Sequence, residues 1–345
     1  MNYLGVISMN EDTSTVQDYR VQDQHAREYL KRSDGVKLKS STVRTYDGNL
    51  RQYEAFLQDR DKSLLDAEFG DLLDFIAHCV RSGNRQGTIE AKVSTIGELY
   101  RYIRLYTDDR DTLNFDPLRI STIDLSKYNT PEPIEREALT RAEIRQLFDA
   151  FDSYRNRLMA VVGVETGLRN SDIRGIRLED LSFDVGEIHV HDPKNSKPYD
   201  VPITDDLAFE IDYWIRHHRT GFVANTTCEY LFPSQDGSQL KTNSSLNRLV
   251  KEAAQRAGIQ DTIGTSQVSS HYGDDLSSRK SQREWHRVTV HTLRHSCITL
   301  MKEDGVDLTY RQMVANHSSP DTTQAYTHSS NEVFEKIRGR FNPPR

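Results

Sequence analysis

Residues 166–172 read Thr-Gly-Leu-Arg-Asn-Ser-Asp, and residues 291–295 read His-Thr-Leu-Arg-His. Gly167 follows an apolar helical run, and glycine most readily takes the left-handed conformation found at helix C-termini. The polar residues after Arg169 can begin a new helix, because short polar side chains cap free amide groups there. The sequence therefore predicts a tight turn between two helices that carries Arg169, with Arg294 on a helix further along the chain.

The first third of the chain shows helical periodicity without strand-like alternation. A stretch with two prolines then reads as an extended linker, and a capping box begins a second domain. We therefore predict a flexible lead at 1–21, an all-α domain at 22–120, a linker at 121–137 and a second domain at 138–345.

Two short β-branched runs interrupt the helices of the second domain. Residues 187–191 and 199–203 are predicted strands of a small antiparallel sheet, with Lys194 in the hairpin between them. Residues 261–288 are polar and low in apolar side chains, which predicts a long inserted surface loop. The chain is thus predicted to be mainly α, with an all-α N-terminal domain and a mixed α+β C-terminal domain.

A set of cationic and aromatic side chains in the second domain suits attack on a phosphodiester. The guanidiniums of Arg169 and Arg294 can bind non-bridging oxygens with paired hydrogen bonds and keep their charge. Lys194 can protonate a departing alkoxide, and Tyr326 can attack phosphorus when neighbouring cations help it lose its proton. A tyrosyl phosphate conserves the energy of the broken bond. Together with the absence of a phosphate-binding glycine loop, this predicts no metal and no cofactor.

The order of these residues resembles that of the tyrosine recombinase (phage integrase) family, and in particular its Xer-type members. The Thr-Gly-Leu-Arg turn matches the first family motif, and His-x-x-Arg at 291–294 matches the second. Ala-Asn stands before His317 where the family usually has Leu-Gly, and asparagine also tolerates a left-handed backbone. The positions that match the family are Arg169, Asp172, Lys194, His291, Arg294, His317 and Tyr326.

The resemblance implies that the matching cations bind the scissile phosphate. Arg169 and Arg294 would hold its oxygens, and Asp172 would orient Arg169. Such a pair of guanidiniums stabilises the negative charge that spreads over the oxygens in the transition state. Phosphate binding is therefore expected at the turn and at the helix that carries Arg294.

Proton transfer and attack are implied for the other four positions. Lys194 would be the general acid, and His291 would be the partner in general base catalysis. His317 stands at the His/Trp position of the family, and Tyr326 would be the nucleophile. The implied reaction is site-specific cleavage and rejoining of DNA through a covalent 3′-phosphotyrosine intermediate.

The resemblance also implies an architecture and partners. The N-terminal block resembles the SAM-like core-binding domain, which clamps duplex DNA from the side opposite the catalytic domain. Residues 331–345 resemble the C-terminal helix that neighbouring protomers exchange in a synaptic tetramer. The expected partners are double-stranded DNA and further copies of the chain in a homo-tetramer on paired sites, with accessory DNA-bending proteins as additional candidates.

The net charge of −7, from 45 basic and 52 acidic side chains, excludes a general polycation. DNA binding requires only a basic face. In the N-terminal block the acids crowd between residues 59 and 74, so the cations elsewhere can form such a face or an ordinary solvated helix surface. The candidate DNA contacts outside the catalytic set are Arg44, Arg51, Arg85, Lys92 and Lys197.

Three other interpretations compete with recombination. His291 and His295 have the spacing of a zinc pair, but Thr292 stands where a zinc protease has glutamate, and no third ligand is evident. A type IB topoisomerase shares the strand chemistry but relaxes DNA as a monomer without a preferred site. A catalytically silent DNA-binding accessory protein would be expected to have lost at least one of the matching residues.

Composition bounds the compartment. A hydrophobic content of 36% is typical of a soluble globular protein, and no apolar run approaches the about 20 residues of a membrane span. Three widely separated cysteines, Cys79, Cys228 and Cys297, suggest neither a disulfide framework nor a zinc ribbon. The N-terminus lacks the basic start and apolar centre of a secretory signal. We therefore expect a cytoplasmic, nucleoid-associated protein without membrane contact.

Overall fold

The computed structural model describes residues 19–191, 198–223, 228–268, 281–314, 335, 337 and 339–345. The chain divides into two units, and each has its own hydrophobic core. The N-terminal unit comprises Met1–Pro133 and Ser266–Ser281, and the C-terminal unit comprises Ile134–Thr265 and Gln282–Arg345. The two cores agree with the two domains expected for a chain of 345 residues.

Helices build the N-terminal unit. They are α1 Gln24–Ser33, α2 Ser40–Gln58, α3 Phe69–Arg81 and α4 Gln86–Tyr106, followed by 3₁₀ turns at Asp108–Asp111, Pro117–Thr122 and Leu125–Lys127. The apolar faces of α2 and α4 pack together, with the ring centroids of Tyr53 and Tyr100 6.3 Å apart. The Tyr100 hydroxyl donates to the Leu64 carbonyl at 2.9 Å, which satisfies a polar group in the core. The periodicity of the sequence thus predicted correctly that this unit is helical.

The C-terminal unit is organised around one central helix. Its helices are α5 Arg141–Asp149, α6 Tyr154–Thr166, α7 Asn170–Gly175, α8 Asp205–Trp214, α9 Thr220–Phe222, α10 Asn243–Arg256, α11 Val290–Glu303 and α12 Leu308–Val314, with a π-helical turn at Ile215–Arg219. Every residue of α6 from Leu158 to Thr166 is buried, as expected for a helix surrounded by others. Since α6 packs closely against α11, the core fixes the position of the residues at its C-terminal end.

A three-stranded antiparallel sheet flanks the helices of this unit. Its strands, in spatial order, are β1 Leu181–Ser182, β2 Glu187–Val190 and β3 Tyr199–Pro202. Ile188 pairs with Val201 and faces the core, whereas His189 pairs with Asp200 on the other face. The two longer strands were predicted, but β1 spans only two residues and gives no periodic signal.

The predicted loop at 261–288 differs from the structure. Residues Thr262–Val268 form β4 and Ser281–His286 form β5, and the two strands pair in a sheet of their own. The few apolar residues suggested a loop, but threonine, valine and tryptophan favour extended backbone even where no apolar face is buried. The segment therefore contributes a strand pair at its two ends.

The described C-terminal residues pack on the C-terminal unit of their own chain. Ile337 and Phe341 belong to its hydrophobic core, and the Asn342 amide donates to Asp304 at 2.9 Å. The exchange of residues 331–345 between protomers stays a prediction, and part of that segment lies outside the described residues.

Two further features are the state of the cysteines and the character of the helices. Cys79, Cys228 and Cys297 are free, buried thiols. Among the described residues, no helix combines the length and apolarity that crossing a bilayer requires.

Candidate active site

The turn after α6 has the predicted geometry. Gly167 ends the helix with φ at 62°, a left-handed conformation that glycine adopts without strain. Arg169 then precedes the first residue of α7, and its amide donates to the Asp172 carboxylate at 3.4 Å. The side chain of Asp172 thus caps α7 and places Arg169 at the junction of two helices.

Helix α11 brings Arg294 to this turn. Thr289 caps the helix together with Thr292, which fixes where it begins. Arg294 lies on the second turn, is buried, and donates a hydrogen bond to the carbonyl of Gly167, 127 residues earlier in the chain. Burial lowers the pKa of the Arg294 guanidinium, and the nearby charge of Arg169 lowers it further.

Asp172 is the acidic partner of the turn. Its carboxylate lies 4.0 Å from the Nη1 atom of Arg169 and accepts a hydrogen bond from the Ser171 hydroxyl at 3.0 Å. Burial raises the pKa of Asp172, while the Ser171 bond and the charge of Arg169 lower it. Asp172 therefore lies next to Arg169, and its role in orienting that side chain stays a prediction.

An open cleft of about 360 Å³ lies in front of the turn and α11. Of the described residues that line it, four carry a permanent positive charge and one is acidic. The charged and imidazole-bearing lining residues are Arg136, Arg169, Lys251, Arg294, Glu284, His286 and His291. This surplus of positive charge suits a bound phosphate group.

Several lining residues were missed by the sequence reasoning. Arg136 falls in the stretch assigned to the linker, and it stacks above the ring of Trp285 at 5.6 Å. Lys251 lies on α10, and Asn247 of that helix accepts a hydrogen bond from the Val290 amide at 3.1 Å. No sequence signal marked these residues, since only tertiary packing brings α10 and β5 to the cleft.

His291 stands exposed at the rim of the cleft. Partial desolvation of its ring lowers the pKa of His291, and the charges of Arg136 and Arg294 lower it further. A neutral imidazole can accept a proton, which agrees with a base role. His295 is also exposed, and the structure groups neither histidine with other potential metal ligands among the residues that it describes.

Four predicted site residues lie outside the described residues. They are Lys194, Lys197, His317 and Tyr326. The structure therefore brings together Arg169, Asp172, His291 and Arg294, which come from two separate stretches of sequence.

The candidate DNA contacts of the N-terminal unit differ in exposure. Arg44 is exposed, while Arg51 and Arg85 are half-buried, and Arg85 donates to the Glu132 carbonyl at 3.0 Å. Lys92 is buried, and its ammonium donates to Asn84 at 2.7 Å. The prediction for Lys92 disagrees with this burial, because helical position alone does not show which face of α4 turns inward.

Family patterns match both units. The pattern described as "Phage integrase family" matches residues 137–332. The pattern described as "Phage integrase, N-terminal SAM-like domain" matches residues 28–105. Together they agree with a mainly helical, two-domain chain whose C-terminal unit carries the cleft.

Curated relatives are similar over most of the chain. A tyrosine recombinase XerD from Yersinia pestis is 25% identical over 314 residues, which cover 89% of this chain and 92% of the relative. XerD from Pseudomonas aeruginosa is 27% identical over 311 residues, with the same coverage.

Solved structures share the fold at low identity. The Tn1549 transposon integrase in complex with transposon right end DNA has a TM-score of 0.63 at 16% identity, covering 92% of this chain and 98% of that one. A lambda integrase dimer bound to a COC′ core site has a TM-score of 0.60 at 16% identity, covering 92% and 77%. The XerH recombinase bound to a palindromic difH substrate has a TM-score of 0.58 at 20% identity, covering 92% and 88%.

Proposed function

Because the chain belongs to the phage integrase family of tyrosine-type site-specific recombinases, we propose that it cleaves and rejoins DNA strands through a 3′-phosphotyrosine at Tyr326. Attack by the tyrosine breaks the bond to the 5′ oxygen and keeps the phosphate on the protein. The free 5′ hydroxyl of another strand then attacks the phosphotyrosine and restores a phosphodiester. The two exchanges conserve bond energy, so the reaction requires neither ATP nor a metal ion.

The observation that carries the proposal is the convergence of Arg169 and Arg294 on one cationic cleft. Arg294 donates a hydrogen bond to the Gly167 carbonyl, and Arg169 pairs with the Asp172 carboxylate at 4.0 Å. Each guanidinium therefore enters the reaction already oriented. Fixed donors of this kind stabilise developing negative charge without reorganisation and contribute about 10²–10³ in rate for each donor.

Three further residues are proposed to transfer protons or donate hydrogen bonds during the reaction. His291, with its lowered pKa, is neutral at pH 7 and can accept a proton as the tyrosine attacks. Lys194 is proposed as the general acid that protonates the leaving 5′ oxygen, and His317 as a further hydrogen-bond donor to the phosphate. These two roles rest on the family resemblance, because both residues lie outside the described part of the chain.

The proposed partner is duplex DNA, bound by copies of the chain that form a homo-tetramer on paired sites. The similar solved structures are two integrases and one site-specific recombinase bound to DNA, and one of them is a dimer on its core site. In this chain the cationic cleft would hold the scissile phosphate, and Arg44, Arg51 and Arg85 would contact the backbone of the duplex. Lys197 is a further candidate contact with the DNA. Accessory DNA-bending proteins are proposed as additional partners. The protein is proposed to act in the cytoplasm, at the nucleoid.

The test is covalent capture on a nicked duplex. The protein is incubated, without metal or ATP, with a set of duplexes whose sequences come from the DNA that flanks its gene. Each duplex carries a nick at a different position, so that one of them is nicked close to the bond that the protein cleaves. We expect a protein–DNA band that survives denaturing electrophoresis and is absent for Tyr326→Phe. Tyr213→Phe, which removes the hydroxyl of an exposed tyrosine outside the catalytic set, should retain the band.

The outcomes separate the proposal from its rivals. An adduct that persists in Tyr326→Phe would exclude Tyr326 as the nucleophile. Relaxation of any supercoiled plasmid, independent of a particular site, would favour the type IB topoisomerase. Binding to every duplex with no adduct and no relaxation would favour a silent accessory protein.

A further inference from the structure

The cleft holds a guanidinium that the proposed strand chemistry does not use. Arg136 lines the cleft together with Arg169, Arg294 and His291. It matches none of the family positions, and it precedes α5 in the stretch that was predicted to be a linker. Its place in the cleft is therefore a property of the folded chain.

The backbone next to Arg136 is anchored to the elements that form the cleft. Leu139, three residues later, is buried in the core, and its amide donates to the Ser296 hydroxyl of α11 at 2.8 Å. Glu143 in the first turn of α5 pairs with Arg287 at 2.7 Å, and Arg287 directly follows β5. These two contacts hold the segment of Arg136 against α11 and against the end of β5.

Trp285 of β5 orients the side chain of Arg136. The guanidinium carbon of Arg136 lies 5.6 Å from the centroid of the Trp285 ring, and Trp285 itself lines the cleft. A guanidinium within about 6 Å of an indole centroid is attracted by the ring, and tryptophan is the strongest aromatic partner for a cation. The ring orients the guanidinium and leaves its positive charge in place.

The charge of Arg136 reaches the imidazole at the rim of the cleft. Partial burial lowers the pKa of His291, and the charge of Arg136 lowers it further, ahead of the charges of Arg294 and His295. Arg136 therefore lies within electrostatic range of a side chain that is proposed to act at the reacting phosphate.

We propose that Arg136 binds a backbone phosphate of the DNA next to the scissile phosphate, with Trp285 as its positioning residue. This role rests on the proposed function, in which Arg169 and Arg294 hold the scissile phosphate. A phosphodiester has two non-bridging oxygens, and those two guanidiniums take both of them. Arg136 enters the same cleft from a different element, so it binds the neighbouring phosphate of the strand. Such a contact fixes the position of the duplex without reading its bases.

The test is the salt dependence of DNA binding by the full-length protein. A fluorescent duplex from the DNA that flanks the gene is titrated at a series of salt concentrations with Tyr326→Phe protein, which binds without cleaving. Each phosphate that a cation neutralises contributes about −0.9 to the slope of log K against log[salt]. Adding Arg136→Ala should therefore make the slope about 0.9 less negative, whereas Arg136→Lys should keep it, because lysine also displaces the counterion.

Arg256→Ala is the matched control. Arg256 is an exposed arginine of α10 that donates to the Ala150 carbonyl at 2.8 Å, and it is not among the described residues that line the cleft. Its variant should keep the slope of the parent protein. Trp285→Ala should weaken binding by about two- to fivefold, and Trp285→Phe by less, because phenylalanine retains an aromatic face.

The rate of cleavage distinguishes the neighbouring phosphate from the scissile one. With Tyr326 intact, pre-bound Arg136→Ala should cleave within about threefold of the wild type, because a contact to the neighbouring phosphate is equally strong before and during the reaction. Slowing by about 10² or more would place Arg136 at the reacting phosphate and overturn the proposal.

The slopes decide whether Arg136 contacts phosphate at all. Equal slopes for Arg136→Ala and its parent would overturn the proposal, even with weaker binding, because a general loss of structure lowers the affinity at every salt concentration alike. Unchanged binding by Trp285→Ala would overturn the positioning role of Trp285. Covalent capture reports separately on the proposed function: a wild type that forms no adduct, with the slope change present, would refute the strand chemistry and retain the Arg136 contact.

Discussion

Two arginines from distant parts of the chain bind the C-terminal end of α6, and their surroundings differ. Arg294 donates to the neutral carbonyl of Gly167 and lines the cationic cleft. Arg345 pairs with the carboxylates of Glu165 at 2.6 Å and Glu210 at 3.2 Å. The first guanidinium is held in place by a neutral group, whereas the second is bound by negative charge.

The difference shows how one helix end can serve both chemistry and stability. An arginine held by a carbonyl keeps its charge for an incoming phosphate, and Arg169 beside it adds to that charge. An arginine paired with a buried carboxylate has its charge neutralised and contributes to the fold. We therefore expect variants of Arg294 to lose activity and variants of Arg345 to lose stability.

The largest expected effect on stability comes from Arg345→Ala. The variant leaves the Glu165 carboxylate, whose side chain is 2% exposed, without its strongest partner. Breaking a buried ion pair in this way costs about 3–5 kcal/mol. We expect a loss near the lower end of this range, because the Arg345 side chain is 25% exposed and water screens its charge in part. Urea unfolding at about pH 8, where Glu165 is mostly ionised because its pKa is about 7, measures the loss by circular dichroism.

Arg340→Ala is the control for this prediction. Arg340 is an exposed neighbour that donates only to the carbonyl of Gly305 at 3.1 Å in the described structure. It should change the free energy of unfolding by less than about 0.5 kcal/mol. Equal losses for Arg345→Ala and Arg340→Ala would refute the stabilising role of the Arg345 pair. The double variant Arg345→Met, Glu165→Gln should recover part of the loss, since both charges are removed together.

The next effect is a pH dependence that originates at Glu165. Burial raises the pKa of Glu165 to about 7, and the charge of Arg345 offsets this in part. The folded state therefore binds a proton more tightly than the unfolded state, whose pKa is near the ordinary value of 4.5. Stability from this group is present at low pH and is lost as pH rises through the folded pKa.

Glu165→Gln should remove this dependence. Between about pH 5.5 and pH 8 the wild type should lose about 2 kcal/mol more than the variant. Urea unfolding of both proteins across this range gives the comparison. Parallel curves for the two proteins would show that Glu165 titrates normally in the folded state.

The smallest effect concerns the backbone of the turn. A Cβ atom on Gly167 would lie 3.3 Å from the Cys297 sulfur, in a residue with φ at 62°. Gly258 has φ at 71° but no atom within 4 Å of its Cβ position, so Gly258→Ala reports the backbone strain alone. Gly167→Ala should destabilise by about 1 kcal/mol more than Gly258→Ala, because of the added contact. Equal unfolding free energies for the two variants would show that the turn absorbs the extra atom.

Local parts of this site could be predicted from sequence. The glycine after an apolar helical run predicted the turn that carries Arg169, and Arg294 was also predicted to lie on a helix, which the structure gives as Val290–Glu303. Turns and helix ends depend on residues that are adjacent in the chain, so the sequence contains the information needed to predict them. The same reasoning gave both ends of β2 and of β3 to within one residue.

Features that depend on packing across the chain could not be predicted. Arg136 and Lys251 line the cleft only because distant elements meet there. Lys92 is buried because α4 turns that face inward, although its spacing fits a solvated face equally well. The approach of Asp180 to His191 depends on the register of three short strands, which the turn residues alone do not specify.

The most direct measurement compares Arg294→Lys with Arg345→Lys in single-turnover cleavage of a pre-bound nicked duplex. Both variants keep the charge but lose the planar fork of the guanidinium, and both alter the same end of α6. We predict that Arg294→Lys slows cleavage by about 10²–10³ while it still binds DNA, and that Arg345→Lys cleaves within about threefold of the wild type. Wild-type cleavage by folded Arg294→Lys, or equal slowing in both variants, would contradict the assignment of Arg294 to the reacting phosphate.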